Sequence, residues 1–285
     1  MDELVGTVVG RWYVTLFGLT FLWRASRHLG WRRTGIYTAI AVTVGALAEN
    51  GSVHLGIPYT RYAFDDDLRG DEIFLGDVPI MVPLSYTFMA YFAFEAGRLV
   101  ASGPWRLRAP RRWHELLVAW MLGVWALWVL DPVSRLGEEF YLGNLFAYEG
   151  PGFWFGLPLG SQVGFAATAA VLLAALHLLD RDAPDGVVPG GLRDHPYLVA
   201  LITYHAQVFH LAAVAFWIGA DTIGGAALLM WVPAAVITAV LWSQLRMQHE
   251  RELGDAAHEP ARQPLDGPGQ RVAGPASQQL LQQQP

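Results

Sequence analysis

The chain has 285 residues, 53% of them hydrophobic and only 15% charged, with a mean hydropathy of +0.30 and a formal net charge of −6. A soluble domain of this length is about a quarter charged, so the composition points to lipid rather than water as the main solvent. Cysteine and lysine are both absent, which excludes a disulfide framework, a thiolate metal site, a cysteine nucleophile and a retinal-type Schiff base, and no basic patch suggests nucleic acid.

The first residues, MDEL, are acidic where a cleavable signal is basic, so no such signal is expected. A membrane-spanning helix needs about 20 mostly apolar residues. Seven stretches meet that length, at 7–27, 34–55, 79–100, 114–132, 155–179, 197–219 and 224–245, the fifth opening through the Pro-interrupted run GFWFGLPLG. The reading is an all-α polytopic bundle of about seven spans over residues 1–247. A polar tail rich in Pro, Gly and Gln follows over 248–285, of a composition that stays disordered.

Arginines set the expected orientation. Arg24, Arg27, Arg32 and Arg33 flank the first connection, and Arg98, Arg106, Arg108, Arg111 and Arg112 the third, whereas the second and fourth connections are acidic. The positive-inside rule then puts the amino terminus outside and the carboxyl terminus inside. Two segments gather the chemistry on the outer side: AENGSVHLGIPYTRYAFDDDLRGDEIFLGDVPIMVPLSY from Ala48 to Tyr86, and the later join that begins WVLDP.

Glu49 follows a long uncharged run. A carboxylate inside a bilayer is costly unless it faces the bundle, is paired or stays protonated, and a protonated one is a ready acid. The blander reading is an interfacial Glu paired with Arg61. Asp131 closes the run LLVAWMLGVWALWVLDP, either as a second functional carboxyl or as the cap of the following turn. Trp128 and Trp125 precede it by about one and two turns, where indole faces can stabilise a cation or simply anchor an interface. Asp77 opens the third span. In ITYHAQVFH, His205 and His210 are five residues apart, about 140° around a helix, and so do not share one face. No metal site is expected there, and His210 is a candidate proton-relay group. Glu95 and Arg98 read as a local ion pair, His54 as a loop residue, and Asp65–Asp67 and Glu138–Glu139 as solvated loop charge.

Glu49 with its downstream glycine, then GIPYTRYAF, GDVPIMVPLSY, DPV and GLPLGSQVGF, in that order, resemble the integral-membrane carotenoid biosynthesis proteins over roughly residues 40–170. The characterised members of that family are carotenoid hydratases of the bisanhydrobacterioruberin hydratase type. Tyr86 and Phe165 stand where that pattern has tryptophans, and Ser161-Gln162 where it has an Asn-Phe pair. The resemblance implies a multi-pass protein of the cell membrane and a cofactor-free hydratase acting on a polyene or isoprenoid end, with other enzymes of the pathway as candidate partners. It carries over Glu49, Asp131 and Asp77 as catalytic groups. Tyr59, Tyr86, Trp154, Phe165, Tyr204 and His205, with Trp125 and Trp128, are the expected substrate-binding set. Two other readings stay open at this point: a proton-initiated isoprenoid cyclase, and a non-enzymatic lipid-binding or sensor protein.

Overall fold

The computed structural model describes residues 2–102, 113–134, 136, 146–150, 152–180 and 198–258, and residues 1–246 form one compact unit. After a short irregular helical start at Glu3–Gly10, seven longer helices follow among the described residues: α1 (Trp12–His28), α2 (Trp31–Leu55), α3 (Met81–Ser102), α4 (Trp113–Ser134), α5 (Leu159–Leu179), α6 (Leu198–Trp217) and α7 (Asp221–His258). Four of them, α4, α5, α6 and α7 over Asp221–Gln244, are long and apolar enough to cross a membrane. The segment Glu3–Gly10 with α1, bent by 78°, makes a fifth if the pair is one span. Helix α2 misses that hydropathy because Glu49, Asn50, Ser52 and His54 crowd its last turns, and α3 carries Glu95 and Arg98. Helix α7 runs on to His258, past the boundary at 247 expected for the helical domain. The rest of the expected tail, 259–285, lies outside the described residues, as do Arg106, Arg108, Arg111, Arg112 and Glu138–Glu139.

Helix α3 is the centre of the bundle, packing against α1, α2, α4, α5 and α6. Its Phe88, Tyr91, Phe92 and Phe94 are almost wholly buried. The connection from α2 to α3 is ordered by α2's own last turns. Gly56, at φ +72, ends the helix in the left-handed conformation that glycine tolerates, and its N–H returns to Ser52 O. Asn50 donates to Leu75 O at 3.1 Å and accepts from the Asp77 N–H at 3.1 Å, pinning a pair of short strands to the helix end. Those strands are β2 (Phe74–Leu75) and β3 (Val78–Pro79), joined by a Gly76-Asp77 turn. Strand β1 (Tyr62–Phe64) pairs antiparallel with β4 (Phe146–Tyr148), in register Tyr62↔Tyr148 and Phe64↔Phe146. This pairing ties the two acidic connections together over the same end of the bundle.

Further along α3 from Tyr86, by roughly 14–18 Å of helix, lies a second polar centre. Arg24 meets Glu95 at 2.7 Å, and His28 bridges Glu95 and Asp180 at 3.2 Å each. Arg98 pairs with Asp180 and approaches Glu115 at 3.9 Å. Glu95 and Arg98 therefore do not form the expected local pair. Both are buried and reach partners on different helices instead. Truncating one member of a buried ionic network leaves charge without compensation and costs about 3–5 kcal/mol. Arg98→Ala should accordingly lower the unfolding midpoint in detergent sharply, while Arg69→Ala in the exposed loop leaves it unchanged.

Candidate active site

Glu49 lies on the face of α2 that looks into the bundle, 4% exposed. A buried carboxyl needs partners on both oxygens, and two tyrosines provide them. The Tyr62 hydroxyl from β1 is hydrogen-bonded to Oε2 and the Tyr86 hydroxyl from α3 to Oε1. Gly45, one turn before Glu49, makes room for this. A Cβ there would stand 3.1 Å from both the Pro83 Cα and the Tyr86 ring.

Tyr86 is bonded in turn to the Tyr59 hydroxyl at 2.8 Å, and Tyr59 to Thr168 Oγ1 of α5 at 3.1 Å. Tyr59 is fixed from three sides. Its N–H donates to Ser52 Oγ at 2.9 Å, its ring stacks on Phe165 at 4.1 Å, and α5 passes close because Gly164 has no Cβ to strike the ring at 2.6 Å. Burial pushes the Tyr59 phenol well above its ordinary pKa, so it serves as a neutral hydrogen-bonding group.

Glu49 and Asp131 line one cavity, enclosed by α1, α3, α4, α5 and α6 and capped by β1 and β4. Most of its wall is apolar, including Phe17, Met89, Leu127, Leu172 and Leu211. Asp131 is near enough to Glu49 for the two carboxyls to interact electrostatically. Asp131 Oδ2 and Gln207 Nε2 are buried on this wall with no hydrogen-bond partner among the described residues, which leaves both available to a molecule inside.

Tyr86, Phe165, Tyr204 and His210 also line the cavity. Tyr204 donates to Leu122 O at 2.9 Å, and the His210 ring lies 5.2 Å from that of Tyr13. Tyr59 stands behind Tyr86. The remaining candidates lie elsewhere. Asp77, in its hairpin turn, is half-exposed and paired with Arg69 at 2.5 Å and His54 at 3.0 Å. On α4 the cavity stripe runs Gly123, Ala126, Leu127, Leu130, Asp131 and Ser134, a three-four spacing that Trp125 and Trp128 do not share. Trp125 donates to Met230 O at 2.7 Å, and Trp154 packs on Trp128, donating to its carbonyl at 3.0 Å. His205 turns toward α7, where Trp231 donates to it at 3.0 Å and Thr238 meets it at 2.8 Å.

Arg11, Tyr13, Tyr62, Thr168 and Gln207 are the site residues that sequence reasoning passed over. Tyr62 and Phe64 left a trace in the alternation of RYAF, read in the structure as a strand with both rings inward. Arg11, at the break before α1, forms a buried pair with Glu72 at 2.9 Å, and nothing local in sequence announces that contact.

The carotenoid biosynthesis protein family profile matches residues 8–242, almost the whole compact unit. The chain belongs to the carotenoid biosynthesis protein family. No curated protein matches it, and no solved structure does. Membership gives it a role in carotenoid biosynthesis and, with its apolar helices, makes it a membrane protein. The family match spans every helix that walls the cavity, and a polyene bound there would lie against its apolar wall. Ala169 faces the cavity and its neighbour Ala170 the exterior. Ala169→Phe should reduce the polyene that co-purifies from carotenoid-producing cells, read by its absorption, and Ala170→Phe should not.

Proposed function

We propose that the chain is a membrane-embedded hydratase of an acyclic carotenoid or related isoprenoid, adding water to a terminal isopropylidene double bond. The observation that carries this reading is the pair of buried carboxyls, Glu49 and Asp131, on the wall of a single, mostly apolar cavity. The apolar wall suits the polyene chain, and the polar patch suits one reacting end.

In this mechanism the Glu49 O–H bond breaks as the alkene π pair takes the proton at the CH carbon. The dimethyl-substituted carbon becomes a tertiary cation, beside the rings of Tyr86 and Phe165. A water held by Asp131 and Gln207 gives its lone pair to that carbon, and its surplus proton passes to Asp131. Return of that proton to Glu49 through solvent closes the cycle, for a net gain of one water. The orientation that accompanies the proposal has seven spans, with the amino terminus and the Glu49 end outside. It is supported by acidic loop residues at that end and exposed Arg27 and Arg32 at the first helix connection.

Expression with an acyclic carotenoid in heavy-oxygen water should give a tertiary alcohol carrying one heavy oxygen per reacted end. Glu49→Gln and Asp131→Asn should each lower conversion by about 10²-fold or more without loss of folded protein, and Asp77→Asn should retain it. Full activity in Glu49→Gln removes that residue from the acid role. A ring-closed product of unchanged mass establishes a cyclase instead.

A further inference from the structure

Counting protons around Glu49 fixes its state from geometry alone. A hydroxyl has one hydrogen to donate and can also accept, a carboxylate only accepts, and a backbone carbonyl never donates. The network is a single line: Tyr62 to Glu49, Glu49 to Tyr86, Tyr86 to Tyr59, Tyr59 to Thr168, and Thr168 to the Gly164 carbonyl at 3.0 Å. These are five contacts, and the hydroxyls of Tyr62, Tyr86, Tyr59 and Thr168 supply four hydrogens. Because the far end is a carbonyl, Thr168 donates to it, Tyr59 to Thr168 and Tyr86 to Tyr59. Tyr86 then has no hydrogen left for Glu49. All contacts are made only if Glu49 carries the fifth hydrogen and donates it to Tyr86, while Tyr62 donates to its other oxygen.

We infer that Tyr59 and Thr168 are positioning residues that keep Glu49 in its protonated form through this hydroxyl chain, and that the chain reverses when the proton leaves. The catalytic meaning rests on the hydratase reading above, whereas the protonation does not. After Glu49 gives up its proton, Tyr86 turns its hydrogen to the carboxylate, Tyr59 to Tyr86 and Thr168 to Tyr59. Only the Thr168 contact to Gly164 O is lost, and that carbonyl still accepts the helical N–H one turn on. The new carboxylate is thus met by two protein donors and needs no water of its own to solvate it.

Removing either residue removes the constraint. Without the Thr168 hydroxyl, three contacts remain for three tyrosine hydrogens, and an ionised Glu49 satisfies them all; without the Tyr59 hydroxyl, Tyr62 and Tyr86 both donate to the carboxylate. The titratable groups facing Glu49 from the surrounding elements are Tyr59, Tyr62, Tyr86 and Asp131, with Arg11, Tyr13, Tyr148, Tyr204 and His210 elsewhere on the cavity wall. The test is infrared difference spectroscopy on the full-length protein in detergent, in mildly alkaline buffer, with the Glu49 acid carbonyl band assigned by its loss in Glu49→Gln. The expected result is a band present in the unmodified protein, lost in Tyr59→Phe and Thr168→Val, and retained in Thr168→Ser. Absence of the band from the unmodified protein overturns the inference, and so does its persistence in both Tyr59→Phe and Thr168→Val. Neither result depends on turnover, so failure here is distinct from failure to hydrate a carotenoid.

Discussion

A carboxyl group in an apolar helical bundle must be met on both oxygens, and much of this molecule is arranged around meeting that of Glu49. Its two partners come from outside its own helix, Tyr86 from the central helix α3 and Tyr62 from a strand in the following connection. Bringing Tyr62 inward requires the connection to fold back over the bundle. That path is set by the Gly56 turn, the Ser52 contact to Tyr59 and the Asn50 bonds to the hairpin. Strand β4 then follows, because β1 would otherwise leave its backbone groups unpaired beside an apolar cavity.

The two polar centres of the bundle are built on different principles. The cluster of Arg24, His28, Glu95, Arg98, Glu115 and Asp180 sets positive against negative groups and ties α1, α3, α4 and α5 together. No catalytic role is needed to account for it. Around Glu49 the neighbours are neutral hydroxyls and a second acid, with no cation within the hydrogen-bonded line. Neutral donors satisfy a carboxyl without forcing it to ionise, which suits a group whose task is to give away a proton and take one back.

The amphipathic problem of a membrane chain makes some features legible in sequence and hides others. Glu49 and Asp131 stood out because isolated charge in a long apolar run demands an explanation, and the structure brings both to one cavity. The separation of His205 from His210 followed from the helical period and is seen in their different surroundings. Asp77 reads in sequence as the opening of the third span, whereas it sits in a half-exposed hairpin turn, paired with Arg69 and His54. Trp125 and Trp128 read in sequence either as cation-stabilising faces or as interface anchors, and in the structure they pack against Met230 and Trp154 and do not line the cavity. Tyr62, Thr168 and Gln207 are set by contacts between distant segments, which no local pattern encodes. The Glu95–Arg98 spacing fits a local ion pair, and their separate cross-helix partners come from distant segments.

The central claim is that the reaction begins by proton transfer from Glu49 to a terminal double bond. Turnover of an acyclic carotenoid in deuterated water, followed by mass and nuclear magnetic resonance analysis of the product, tests it most directly. The account predicts one non-exchangeable deuterium per reacted end, on the carbon next to the new tertiary alcohol. A hydrated product with no carbon-bound deuterium at that position contradicts it.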